Sequence, residues 1–275
     1  MNHRQHPTNG EPPDPDAHER KGDIHAAHGD FERAVGEYKK AMRLDSANAD
    51  RLIRLADAYV ALEHAAKAFE MYDKALALDS DNAEAHLGMG DLAVRFAKSR
   101  AAVRSYERAV RLNPGRAYYR LKLAQALVTI GASERAVEEM QAAVRLDPDD
   151  AFYRLELAEV YLLIGRLEEA VSELEAAVNH APRDEYYHVR LGAAYLRVGR
   201  AARAVDVFQR AVELRPENAS YRNLLGFAYF CDEQNAKAQY HLRLAGQLDP
   251  YDEDYSRRIQ LLAATGPGIA PHRSQ

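Results

Sequence analysis

A single cysteine, Cys231, and no tryptophan stand in a chain of 275 residues. One thiol forms no internal disulfide and builds no zinc or iron–sulfur site of several cysteines. No apolar run approaches the roughly 18 residues that a membrane-spanning helix needs, so no membrane span is expected. The opening stretch, MNHRQHPTNGEPPDPD, is polar and proline-rich where a secretory leader carries an apolar segment of about seven residues or more. A cytoplasmic location is the resulting expectation. Excess positive charge is missing too: 37 Lys and Arg against 42 Asp and Glu leave a net charge of -5. Nucleic-acid binders carry a basic stripe or domain, and no nucleic-acid partner is expected. There is also no GxSxG, no GxxxxGK and no kinase motif set, so the chain is not expected to be an enzyme or to carry a cofactor.

What the sequence does have is a period. AYYRLKLA at 117–124 returns 34 residues later as AFYRLELA and again as EYYHVRLG. Rows of 34 set from Pro15 fill 15–48, 49–82, 83–116, 117–150, 151–184, 185–218 and 219–252 with no gap. One column is alanine throughout (Ala34, Ala68, Ala102, Ala136, Ala170, Ala204, Ala238), and so is a second, from Ala41 to Ala245. A third holds only glycine or alanine: Gly22, Ala56, Gly90, Ala124, Ala158, Gly192, Gly226. Between them, large apolar residues recur at helical spacing, as in Leu123, Leu127 and Ile130, then Val137, Met140 and Val144. Each row therefore predicts two amphipathic helices, broken mid-row at glycines such as Gly131, Gly165 and Gly199 and closed by prolines at 114, 148, 182, 216 and 250. Invariant small residues predict seams where helix backbones approach closely.

Leu191, Gly192, Tyr195, Ala204, Phe208, Ala211 and Pro216 of the sixth row carry a familiar signature. The rows resemble tetratricopeptide repeats (TPR) over Pro15 to Asp252. The resemblance implies an all-α fold, a right-handed superhelical solenoid of seven stacked antiparallel helix pairs, whose function is to bind protein or peptide. Residues 253–264, EDYSRRIQLLAA, match the first helix of an eighth row and are expected to cap the stack. Residues 1–14 and 265–275 are expected to be disordered tails.

In such repeats the resemblance makes the second, fifth, ninth, twelfth and thirteenth residues of each row face the concave side. In rows four to seven these columns hold Tyr118, Leu121, Val128, Phe152, Leu155, Leu162, Leu163, Tyr186, Val189, Leu196, Phe227 and Phe230, an apolar strip. Rows one to three instead hold Asp16, Glu19, Asp23, Asp50, Asp57, Glu84 and Asp91. An exposed apolar strip marks an interaction surface, and a partner's helix or extended segment is the expected occupant. A clamp for a terminal carboxylate is not expected, because its columns hold Ile53, Leu87, Leu121, Asp57, Asp91 and Gln125. The leading functional expectation is a non-enzymatic scaffold or assembly factor. A self-assembling protein, a homo-oligomer whose copies dock end to groove, and a regulatory subunit of a separate enzyme are the alternatives. Row three carries a surplus of four positive charges, and row five four negative ones.

Other patterns admit plainer readings. LGMGDLA at 87–93 matches GxGxxA, but it falls inside a predicted helix and not between strand and helix, so it is expected to be seam. His18, His25 and His28 share a helix yet lack the further ligands of a metal site, and none is expected. His180 replaces leucine at its column and is expected to be packed and hydrogen-bonded. Cys231 is expected to be a small hydrophobe. Of the aromatic doublet, Tyr119 recurs in register as Tyr153, Tyr187, Tyr221 and Tyr255 and is expected to pack on the preceding row. Tyr118 is the ring expected to bind.

Overall fold

The computed structural model describes residues 14–249. Over them the chain is all-α, with helices in pairs: α1 (Pro15–Ala27) and α2 (Phe31–Leu44), α3 (Ala49–Ala61) and α4 (Ala65–Leu78), α5 (Ala83–Arg95) and α6 (Ser99–Leu112), α7 (Ala117–Thr129) and α8 (Ser133–Leu146). The series continues with α9 (Ala151–Leu163) and α10 (Leu167–His180), α11 (Glu185–Arg197) and α12 (Ala201–Leu214), and α13 (Ala219–Cys231) and α14 (Asn235–Leu248). The cap helix expected at 253–264 and the tail at 265–275 lie outside the described residues, as does the tail at 1–14 except Asp14, which caps α1.

Local chemistry sets the helix ends. The first helix of a pair starts at an Asn or Asp whose side chain accepts a backbone N–H of the first turn: Asn48, Asn82, Asp150, Asp184 and Asn218. Arg116 stands at that place before α7 and makes no such bond. Between the helices of a pair the backbone turns through positive φ, at Gly29, Gly131, Gly165 and Gly199, but also at Glu63 (59°), Ala97 (54°) and Glu233 (61°). A side chain in the left-handed region costs about 1–2 kcal/mol, and glycine escapes that cost while losing some on unfolded-chain entropy. Ala97→Gly is therefore expected to stabilise the chain by about 0.5–1 kcal/mol, read as a higher urea midpoint. A lower midpoint would show that the turn carries no strain.

The described chain divides into two compact units, one ending at Glu139 and the other starting at Met140, within α8. In the first unit, α2 packs on α1 and α3, and α4 on α3 and α5; in the second, α10 joins α9 to α11 and α12 joins α11 to α13. First helices also touch one another, α3 against α5 and α11 against α13. The two alanine columns of the second helices are fully buried at every row, because a methyl group is all that the helix seam admits.

The glycine column works the same way from the other side. A methyl group on Gly192 would sit 2.7 Å from the Phe208 ring, and one on Gly226 would sit 2.8 Å from Leu242 Cγ. In LGMGDLA both glycines are used: Gly88 receives the ring of Tyr72 from α4, and Gly90 receives that of Tyr106 from α6. The match to a dinucleotide motif is thus a seam on two sides of α5.

Candidate functional site

Two faces of first helices hold the predicted site residues, and they differ in chemistry. In the first unit the acids that the sequence sets on this face are all engaged within the fold. Tyr38 donates its hydroxyl to Asp23 at 2.8 Å, Tyr72 to Asp57, and Tyr106 to Asp91 at 2.6 Å. A tyrosine ring buried in the seam needs an acceptor for its hydroxyl, and aspartate nine residues into the same row supplies it. Rows from the fourth onward have Met140, Leu174, Phe208 or Leu242 in place of the tyrosine, and none keeps the aspartate. Cations on the next row balance two of these acids, Arg54 on Asp23 at 3.0 Å and Lys122 on Asp91 at 3.1 Å. Gly88 holds the same place beside Asp57, whose carboxyl is pushed up by desolvation, with Glu84 and Asp91 adding to the shift. Desolvation and the neighbouring carboxylate raise all three hydroxyls as well.

The remaining acids are also used. Glu84 receives the hydroxyl of Tyr119, Asp50 accepts from Asn82 at 3.4 Å, and Asp16 and Glu19 hold the guanidinium of Arg51. The acidic face serves the packing of rows on one another. Tyr119 is buried against the preceding pair, as its register predicts.

Of the predicted binding residues, Tyr118, Leu121 and Val128 belong to the first unit, on α7. Tyr118 is exposed, with the Lys122 ammonium 5.4 Å from its ring centre. Leu121 is only 3% exposed, so it is core and not a contact residue. Leu155 is corrected in the same way, at 6%. Both sit at the fifth position of their rows, where Val189 of row six stays half-buried, so sequence spacing alone does not separate an open place from a closed one.

In the second unit the same face is apolar and open. Phe152 (41% exposed) and Leu163 (61%) lie on α9, Tyr186 (51%) on α11 and Phe227 on α13. Leu162, Val189, Leu196 and Phe230 are half-buried around them. Phe152 meets Tyr153 edge-on at 5.6 Å, and Tyr186 meets Tyr187 at 6.2 Å, so an exposed ring leans on a seam ring in both pairs. That contact fixes the outer ring without covering it. Of the charges on this face, Glu159 pairs with Arg190, and the exposed Arg197, thirteenth in row six, donates to the Leu162 carbonyl at 3.3 Å. Alanine at 193 stands in the column that holds Asp23, Asp57, Asp91 and Glu159 upstream.

The other candidates resolve into local contacts. His18 Nδ1 meets Glu37 at 2.6 Å, and bonds from Lys40 and His18 lower that carboxyl to about 2. His28 Nδ1 meets the Ile24 carbonyl at 2.7 Å, so the histidines do not converge. His180 is exposed rather than packed, 3.8 Å from Asp149, since its column lies at an open helix end where Leu44, Leu78 and Leu146 are exposed too. Cys231 is exposed, although desolvation raises its thiol.

Profiles of the tetratricopeptide repeat match residues 4–49 and 87–151, 49–82, 134–195, and 185–218. The chain belongs to the tetratricopeptide-repeat family. Among solved structures, the C-terminal part of a TPR protein from Cytophaga hutchinsonii aligns at TM-score 0.72 and 16% identity, over 86% of this chain and 98% of that one. A TPR protein from Parabacteroides merdae aligns at 0.61 and 17%, over 90% and 98%. These two share the TPR fold. YrrB, described as a TPR protein with an unusual peptide-binding site, aligns at 0.55 and 25%, over 65% and 92%. No curated protein matches significantly. Among the described residues no helix is long and apolar enough to cross a membrane.

Proposed function

We propose that this TPR protein is a non-enzymatic interaction scaffold, and that the open face of α9, α11 and α13 binds an apolar segment of a partner protein. The carrying observation is the set of rings left uncovered there, Phe152, Tyr186 and Phe227, beside the half-buried Leu162 and Leu196. Monomer surfaces rarely carry contiguous apolar patches of more than a few hundred Å², and aromatic anchors dominate binding energy where such patches bind. The pairing of Glu159 with Arg190 supports an apolar ligand over a charged one, since neither offers a free charge, and the Arg197 guanidinium is turned onto the Leu162 carbonyl. The peptide-binding site described for YrrB fits the same reading.

Peptides selected from a random library on the full chain test it. They are expected to be apolar, and Phe152→Asp with Tyr186→Asp should weaken them by about 2 kcal/mol or more, roughly thirtyfold. Both side chains are exposed, so helicity and melting should stay put. Selected peptides that bind this variant as tightly as the parent would end the assignment.

A further inference from the structure

The outer face of α6 carries a feature that packing does not use. Arg100, Arg104, Arg108 and Arg111 fall within about 80° of one another around the helix, since each residue advances about 100°. They span about 16 Å along it. Arg108 is held by Asp81, and Glu107, which lies in the same stripe, is held by Arg135 at 2.7 Å. Arg100, Arg104 and Arg111 are exposed, and among the described residues no carboxylate pairs with them. At the start of the helix the Lys98 ammonium lies 5.8 Å from the ring centre of Phe96, itself half exposed. At the columns of Arg100 and Arg104 the other second helices offer Glu32 and Gly36, Ala66 and Glu70, and Glu134 and Glu138 in the first unit. Only α6 is basic at both.

We propose that this face of α6 docks an acidic segment of a partner protein, one helix or strand wide, whose carboxylates pair with Arg100, Arg104 and Arg111. The width decides the chemistry. A membrane surface or a nucleic-acid duplex is a broad anion, and it would press against Glu70, Glu134 and Glu138 on the neighbouring second helices as well as against the arginines. A single acidic segment meets only the stripe. Arginine also suits the ligand: its planar guanidinium grips a carboxylate through two parallel bonds, which a lysine ammonium does not. Phe96 adds an apolar contact at one end. Exposed pairs steer encounter more than they hold, so the association is salt-sensitive and driven by on-rate.

The test uses the full chain and a labelled alanine-rich helical peptide whose glutamates repeat the spacing of Arg100, Arg104 and Arg111. Binding by anisotropy is expected at low salt, to fall at least about tenfold in Arg100→Glu with Arg104→Glu, and to fade as salt rises. A peptide with lysine for glutamate is expected to bind that variant and not the parent. Phosphatidylserine vesicles and a DNA duplex run alongside. If either binds while the peptide does not, or if the charge-reversed variant holds the glutamate peptide unchanged, the proposal is overturned. Phe152→Asp with Tyr186→Asp should leave this binding intact, which separates its failure from failure of the apolar-face reading. Exposed sites keep the fold, and a circular dichroism spectrum identical to the parent's verifies it.

Discussion

Gly90→Val is expected to destabilise the chain by about 3 kcal/mol, a large loss from adding so few atoms. The added Cβ would overlap the Tyr106 ring, which is almost wholly buried and tied by its hydroxyl to Asp91 at 2.6 Å. Neither side can retreat: the ring is anchored at its tip, and α5 is pinned from its other flank by Tyr72 over Gly88. Alanine would be a poor test, because a gain of about 1 kcal/mol in helix propensity masks the overlap. Valine gains less and collides more. The measurement is chemical denaturation, and Gly90→Val with Tyr106→Leu should recover part of the loss, since Ala158 and Leu174 coexist at the same columns two rows on. An unchanged midpoint in the single variant would show that the seam has slack.

Arg51→Ala is expected to cost about 3 kcal/mol. The Arg51 side chain is 5% exposed and joins three carboxylates, Asp16, Asp45 and Glu19, the last at 2.8 Å. Removing the cation leaves the two carboxylates of α1 facing that of Asp45, which ends α2, with nothing between them. The estimate sits at the low end for a broken buried pair because Asp16 and Asp45 keep contact with water. Arg51 occupies the column that holds Tyr119, Tyr153, Tyr187 and Tyr221 in later rows, so Arg51→Tyr should restore packing and recover part of the loss. Since the site ties the first row to the second, the alanine variant should lose protection from amide exchange first in α1 and α2.

Much of the fold is legible because a repeat states its rules row after row. Alanine at Ala34 and its successors, asparagine or aspartate before the first helices, and glycine between the helices of a pair each have a local cause, and the period shows which residues obey it. The candidate site is less legible. Tyr118, Phe152, Tyr186 and Phe227 could be placed on an open face by spacing, but Leu121 and Leu155 share that spacing and are buried. A helical wheel gives an angle. It does not give the position of the partner helix that closes over part of the arc.

The acids of the first rows make the same point. Their columns were readable, and so was the co-occurrence of Tyr38, Tyr72 and Tyr106 with Asp23, Asp57 and Asp91, yet the hydrogen bond that joins them spans two helices. The sequence by itself determined the period, the all-α class, the helix ends and the family, since those follow from short-range sterics and capping repeated in register. Only the tertiary structure decided which charges are spent, that Asp23, Asp57 and Asp91 serve buried hydroxyls while among the described residues no carboxylate pairs with Arg100, Arg104 and Arg111. The physical reason is that pairing depends on distances between helices, and these are set by how side chains fill the seams.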